Sequence, residues 1–309
     1  MEWWEAAVLG LVQGLTEFFP VSSSGHLVMT ERVLGLSVPG IMFEVAVHVA
    51  TLISVLIVYR VRIAALAAGL FRRGDGSSWP YLGKLLLATI PAVALGFLFK
   101  DWFEARFEEP LFAGTMVMVT GCVVWSSRWV RSSGLIRPLE VLPILLVAIV
   151  ALIVGTLVPF LAVLAVLGLL MGLGRISAQR DWHEEPRAEG ALLMGVAQAF
   201  AILPGISRSG STVVTALWRR IDPVAAAEFS FLMSIPAILG AALLNVPDAL
   251  NEGMTVGPVP LAAGAITAAI AGVLAIRYFV ALLRRQNFHA FAWYCWIVGA
   301  LFVLLSGSS

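Results

Sequence analysis

The chain has 309 residues, of which 60% are hydrophobic and only 13% charged, with 20 Lys and Arg against 19 Asp and Glu for a net charge of +1. Soluble domains carry roughly 45–50% apolar and about 25% charged residues, so this composition excludes an ordinary soluble globule and points to a chain solvated by lipid. The basic residues sit in short clusters beside apolar runs, which excludes a basic face for nucleic acid.

In chain order, the opening Met1-Glu2-Trp3-Trp4-Glu5 lacks the basic region and cleavage site of a secretory signal and reads as part of the mature protein. Residues 6–19 form a short apolar stretch that runs into Pro20-Val21-Ser22-Ser23-Ser24-Gly25-His26. A run of spanning length, 41–59, contains Glu44 and His48 and ends at Arg60, Arg62, Arg72 and Arg73. Runs 82–99 and 111–127 are separated by Glu104, Glu108 and Glu109, and the second closes on Arg128, Arg131 and Arg137. Residues 139–157 are again apolar, and 139–174 as a whole read as an inserted membrane hairpin around Val158-Pro159, with Gly168 and Gly172 spaced for helix packing. After a mixed-sign segment from Arg175 to Glu189, a second short apolar stretch, 191–203, runs into Pro204-Gly205-Ile206-Ser207-Arg208-Ser209-Gly210-Ser211-Thr212. Arg219 and Arg220, the run 224–247, Asp248 and Glu252, the run 259–283, Arg284 and Arg285, and the run 289–305 complete the chain. Cys122 and Cys295 each lie inside an apolar run and read as small core hydrophobes.

Basic clusters mark the cytoplasmic side, and the acidic or neutral connections then alternate onto the other, which puts both termini outside. The stretches 6–19 and 191–203 are too short to span, and each reads as a helix-loop-helix that enters and leaves by one face. Laid over one another, Gly10, Gln13, Ser22, Ser24 and Gly25 fall on Gly195, Gln198, Ser207, Ser209 and Gly210. Glu44 has a counterpart in Glu228, and Ile-Pro-Ala recurs at Ile90 and Ile235. The expected fold is an all-α polytopic membrane protein, one integral domain over 1–309. It is an inverted-topology repeat (about 1–130 and about 188–309) whose two re-entrant elements meet near the bilayer midplane, as in proteins that bind ligands there.

Non-helical backbone at membrane depth needs a polar cavity around it, and anion binding supplies a reason for one. Both loops feed a new helix, whose free amides and positive dipole end favour phosphate, with serine hydroxyls as added donors. Arg208 in an apolar setting is expensive and its planar fork grips phosphate oxygens, whereas a snorkelling arginine is the bland alternative. Glu17 carries the wrong sign for phosphate, which a divalent cation resolves: Mg2+ or Ca2+ between carboxylate and phosphate. His26 could act as general acid or base or attack phosphorus, and Ser22, Ser23 and Ser24 are alternative nucleophiles if a neighbouring base takes the proton. Glu44, His48 and Glu228 lie within spans without a motif around them and are weaker candidates.

The pattern Gln13 to Glu17 with Pro20 to His26, followed later by Pro204 to Thr212, resembles the bacterial undecaprenyl pyrophosphate phosphatases, also called bacitracin-resistance proteins. Phe43-Glu44-Val45 and Ala227 to Phe231 extend the likeness over most of the chain outside its middle, where 139–174 exceeds the compact members. The resemblance implies hydrolysis of a C55 polyprenyl diphosphate to the monophosphate and inorganic phosphate, recycling the carrier for peptidoglycan and conferring bacitracin resistance. It also implies a multi-pass protein of the bacterial inner membrane with an outward-facing site and Mg2+ or Ca2+. The partners are the lipid and the bilayer, with a homodimer as one oligomeric option. Carried over by position, Glu17 is the metal-binding or acid-base carboxylate, Ser23 the leading nucleophile, His26 its activating or phosphate-contacting partner and Arg208 the phosphate clamp. Gln13, Ser22, Ser24, Gly25, Ser207, Ser209, Gly210 and Thr212 would line the substrate. Gln13 is a second candidate metal ligand; it is within the family's Glu-or-Gln pattern at that position but removes one possible metal carboxylate.

Two rivals are tested by the same residues. The type 2 phosphatidic acid phosphatases also use Ser-Gly-His and Ser-Arg, but their following His is missing here, position 214 being Val214. A lipid flippase or secondary transporter suits inverted repeats, yet it has no need for nucleophile, acid-base residue and anion clamp together.

Overall fold

The computed structural model describes all residues except 37–40, 72–77, 108, 131–137, 160, 164, 166–180, 253–255, 286 and 308–309. Arg72, Arg73, Glu108, Arg131, Arg137, Gly168, Gly172, Arg175 and most of the second arm of the expected hairpin therefore lie outside the described residues. The helices are α1 (Trp3–Phe18), α2 (Ser23–Leu34), α3 (Ile41–Val58), α4 (Arg60–Phe71), α5 (Ser78–Leu98), α6 (Lys100–Phe107), α7 (Pro110–Ser126), α8 (Pro138–Ile153), α9 (Ala188–Phe200), α10 (Arg208–Trp218), α11 (Pro223–Glu252), α12 (Pro258–Arg284) and α13 (Phe291–Gly307). Among the described residues no strand forms, only an isolated parallel bridge between His183 and Ile221. A backbone in lipid must satisfy its own hydrogen bonds, which is why a chain this apolar is helical throughout.

Among the described residues six helical stretches are long and apolar enough to cross a bilayer: Ile41–Val58, Ser78–Leu98, Pro110–Val130, Pro223–Asn245, Pro258–Arg284 and Phe288–Ser306. The apolar run 139–157 gives a helix of only 16 residues, Pro138–Ile153, shorter than the others. The two broken elements have α1 of 16 and α10 of 11 residues, about 24 and 16 Å at 1.5 Å per residue, against roughly 30 Å of hydrocarbon.

Close backbone contacts fix the helix directions. Cβ atoms added at Gly10 and Gly14 would lie 2.1 Å from the Gly264 carbonyl and 2.4 Å from that of Ala268, so α1 and α12 run parallel with backbones touching. At Gly195 the obstacle is Ala88 O at 2.3 Å, and Gly96 faces Ile202, so α9 runs parallel to α5. The central pair is antiparallel, Gly114 meeting Val303 and Gly121 meeting Trp296, and α7 is buried along nearly its whole length.

At one end of the bundle Arg62 binds Glu228 (2.9 Å) and Glu185 (3.3 Å), and Lys84 binds Glu185 (2.9 Å). There α3 ends while α5 and α11 begin. Because α12 runs with α3 (Gly264 against Phe43, Gly272 against Ser54), α1 and α9 enter the bundle from opposite ends.

The Ile-Pro-Ala match does not survive: Glu44 and Ile90 sit on different helices, α3 and α5, whereas Glu228 and Ile235 share α11. The two tripeptides therefore occupy non-equivalent places.

Replacing Gly10 by Val drives a side chain into a carbonyl that cannot move aside without separating α1 from α12. Overpacking of this kind costs about 3 kcal/mol or more. Thermal unfolding in detergent should show a clear loss of stability, whereas Gly83→Ala, with nothing within 4 Å, should unfold no earlier than wild type.

Candidate active site

Both loops are built alike from helix-capping chemistry. Ser22 caps α2, its Oγ accepting from the Gly25 amide (3.4 Å), and Ser207 caps α10, its Oγ accepting from the Gly210 amide (3.1 Å). Ser24 and Ser209 lie beside these caps, at 3.3 and 3.2 Å. Ser22 holds a left-handed backbone (φ 73°), a strained state for a residue with a Cβ that tight surroundings must maintain. Gly205 takes φ 94° where its Cα passes 3.6 Å from the position of a Gly25 Cβ, so the two loops touch through glycine.

The central helices hold the loops in place. Thr120 of α7 donates to Gly205 O (2.8 Å) and accepts from the Ser207 amide (2.9 Å), which pins the second loop. Cys295 of α13, a weak S–H donor, points at Pro20 O (3.4 Å) and steadies the first. Loop crosses loop where Ser209 Oγ donates to Phe19 O (3.0 Å) and the Gly205 amide reaches Ser24 Oγ (3.4 Å).

Glu17 is the hub. Its Oε1 binds Arg208 Nη2 (2.7 Å), and its Oε2 accepts from Ser23 Oγ (2.7 Å) and from Gln13 Nε2 (3.1 Å). The carboxylate is 8% exposed and the Arg208 side chain 15%, so a fully formed ion pair sits almost without water at the end of α1. Ser23 is partly accessible, and its hydroxyl is in contact with a carboxylate. Arg208 Nη1 also donates to Ser230 O (3.4 Å), and Ser230 Oγ lies 2.6 Å from Thr212 Oγ1.

The structure thus brings Gln13, Glu17, Ser23 and Arg208 into one contact set and divides the remaining hydroxyls from it. Ser207 and Ser209 donate to Phe19 O, and Thr212 to Arg208 O. With Ser207 Oγ also 3.2 Å from Ser209 Oγ and Thr212 Oγ1 2.6 Å from Ser230 Oγ, these hydroxyls are engaged with protein partners and hold the loops in this state. Of the first-turn amides of α2 and α10, which lack intrahelical acceptors, those of Gly25 and Gly210 are taken by the capping serines.

His26 is set apart from Ser23. Its Nδ1 donates to Ser22 O (2.7 Å) and its Nε2 accepts from Tyr294 Oη (2.9 Å), with the two rings stacked at 5.6 Å and 6°. Glu228 pairs with Arg62 at the end of the bundle, Glu44 is exposed, and His48 Nδ1 contacts Glu44 O (2.8 Å).

Among the described residues no group of three His, Cys, Asp or Glu could hold a metal ion. One orphan does fit a cation: Gln13 Oε1 is buried without a hydrogen-bond partner beside the Glu17 carboxylate. A hard cation bound by one carboxylate, an amide oxygen and substrate oxygens matches that donor set. Thr120, Ser230, Cys295 and Tyr294 are absent from the sequence-derived site. Thr120, Cys295 and Tyr294 come from distant spans with no motif around them, so only packing reveals them, whereas Ser230 lies in the Ala227 to Phe231 stretch, which gave it no role.

The family model for the bacitracin resistance protein BacA matches residues 6–156 and 133–301. The chain is 34% identical to an undecaprenyl-diphosphatase of Desulfatibacillum aliphaticivorans, over 97% of each chain. It is 34% identical to one of Syntrophotalea carbinolica, over 99% of this chain and 100% of the relative, and 33% identical to one of Halothermothrix orenii, over 99% of each. The middle segment falls within these aligned lengths.

Proposed function

Because the chain belongs to the BacA family of bacitracin resistance proteins, we propose that it removes the terminal phosphate of undecaprenyl diphosphate, using Ser23, Glu17 and Arg208 at membrane depth. The observation that carries this reading is the accessible Ser23 hydroxyl, 2.7 Å from a carboxylate that is itself paired with an arginine.

Arriving phosphate competes with Glu17 for the Arg208 fork, since arginine binds either oxyanion in the same planar way. Once released from Arg208, Glu17 is a dehydrated carboxylate beside one hydroxyl, and it accepts the Ser23 proton. Ser23 Oγ bonds to the terminal phosphorus, the bond from phosphorus to the bridging oxygen breaks, and the lipid monophosphate leaves with those electrons. Glu17 passes that proton to the departing monophosphate oxygen and is a carboxylate again; it then takes a proton from water, whose oxygen bonds to phosphorus as the bond to Ser23 Oγ breaks, and hands this second proton to Ser23 Oγ as inorganic phosphate is released. Arg208 and the first-turn amides of α2 and α10 not held by the capping serines neutralise the phosphoryl oxygens throughout. His26, held by Ser22 O and Tyr294, shapes the first loop rather than taking the proton.

Mg2+ or Ca2+, when bound through Glu17 and Gln13 Oε1, would supply charge neutralisation at the diphosphate. Chelation should lower phosphate release at least tenfold, with Mg2+ or Ca2+ restoring it. Gln13→Ala should raise the cation concentration for half-maximal rate by about tenfold, the lower end for disturbing a metal's surroundings. Undiminished release in excess chelator would remove the cation from the reading.

The position of Arg208 supports a midplane site. It begins an 11-residue helix whose other end reaches the basic residues Arg219 and Arg220, about 16 Å away and roughly half the hydrocarbon thickness. With basic residues inside, the site opens to the extracytoplasmic side of the inner membrane and the two broken elements form inverted repeats. Flipping of the intact lipid would leave the Ser23–Glu17 contact without a use. The deciding assay is phosphate release from C55 diphosphate by detergent-purified protein, with intact lipid recovered at the end sinking the phosphatase reading.

A further inference from the structure

We propose that the basic end of the bundle carries a second anion site, shaped for the phosphate headgroup of a lipid and separate from the two loops. A cavity of about 550 Å³ opens there between the ends of α10 and α12 and the start of α11, lined by Trp182, Arg220, Asp222, Val224, Leu283 and Arg284. A smaller cavity of about 120 Å³ shares its Pro223 and Leu283 walls and adds Arg128, His289 and Phe288. The length of α10, about 16 Å, separates both from Arg208.

The cation at the centre is held in advance of any ligand. Arg220 occupies a left-handed backbone state (φ 59°), which a β-less glycine would adopt freely but arginine adopts only under constraint. The constraint is visible: the His183 amide donates to Arg220 O (2.8 Å) and the Asp222 amide donates to His183 O (2.8 Å), which clamps the turn from both sides. The guanidinium then stacks 5.2 Å above the Trp182 ring, while Arg128 stacks at 4.9 Å on Trp125. Among the described residues of the wall the one carboxylate, Asp222, turns its Oδ1 to accept the Val224 and Ala225 amides at the start of α11. Cations therefore dominate the opening, and Leu283, Val224, Pro223 and Phe288 continue it with apolar surface. Arginines over an apolar floor at a helix-bundle rim match a phosphate head with a hydrocarbon tail, a pattern by which basic pockets hold anionic lipid headgroups. Free inorganic phosphate shares the charge but not the tail.

The test uses the full chain in detergent with three probes: a short-chain phosphatidylglycerol, the matching phosphatidylcholine and inorganic phosphate. Wild type should bind the phosphatidylglycerol, and Arg220→Gln with Arg284→Gln should weaken binding at least tenfold. Arg285→Gln, which neutralises an exposed arginine outside the walls, should leave it within twofold. Should the double variant unfold, Arg284→Gln alone at the exposed end of α12 gives the same comparison. Equal weakening by Arg285→Gln would reduce the effect to general surface charge and overturn the site. Unchanged binding in the double variant would also overturn it, and equal affinity for inorganic phosphate or phosphatidylcholine would overturn the lipid-headgroup assignment.

Discussion

Glu17→Gln should reduce phosphate release by about a thousandfold while the protein stays folded, within the 10²–10⁴ range that a positioned proton acceptor contributes. The amide has nearly the shape of the carboxylate and can still contact Ser23, Gln13 and Arg208, but it cannot take the hydroxyl proton. Ser23→Ala should be equally severe, and the two changes together no worse than either, because nucleophile and base act as one unit. His26→Gln discriminates between bases. Both ring nitrogens are occupied by Ser22 O and Tyr294 Oη, so loss of the imidazole should disturb loop geometry and lower the rate by about tenfold, far less than loss of a proton acceptor. A thousandfold fall in His26→Gln beside a mild effect in Glu17→Gln would reverse the assignment.

The sequence carried the parts of this structure that follow from local chemistry. Apolar runs marked the spans, and Pro20 and Pro204 with their serines and glycines marked the two broken elements. The charge asymmetry of Glu17 and Arg208 anticipated that these loops belong together. It was less informative about which polar group does what, because a serine after a helix break can be a cap or a ligand with the same neighbours. Ser22 and Ser207 are caps, and Ser23, one residue on, faces Glu17 because the first turn of α2 rotates it there. The supports contributed by α7, α11 and α13 were illegible for a different reason. Thr120, Tyr294 and Cys295 sit in apolar helices where one hydroxyl, thiol or phenol has no pattern, and their partners are between about 85 and about 275 positions away; Ser230 lies in the recognisable Ala227 to Phe231 stretch, but its contact with Arg208 shows only in the packing. Ile90 and Ile235 show the opposite error, a matching tripeptide that reflects composition rather than shared place.

Arg208 is where stability and chemistry are most tightly joined, and the two can be separated. Arg208→Ala should abolish turnover and also destabilise the fold by about 3–5 kcal/mol, since it strands a carboxylate that is 8% exposed. The double change Glu17→Gln with Arg208→Met removes both charges and fills similar volume, so it should regain most of that stability in thermal unfolding yet release no phosphate. Arg208→Lys keeps a charge to balance Glu17 but loses the planar fork and the second arm toward Ser230 O, so folding should be largely retained while phosphate release falls about a hundredfold. If Arg208→Ala unfolds at the wild-type temperature, the ion pair contributes no net stability and the resting clasp on Glu17 must be weak. If Arg208→Lys turns over at the wild-type rate, bidentate recognition is not what the second loop provides. Both outcomes bear on one physical point: the arginine must leave Glu17 for phosphate in each turnover, so the resting pair has to be strong enough to order the loops and weak enough to exchange.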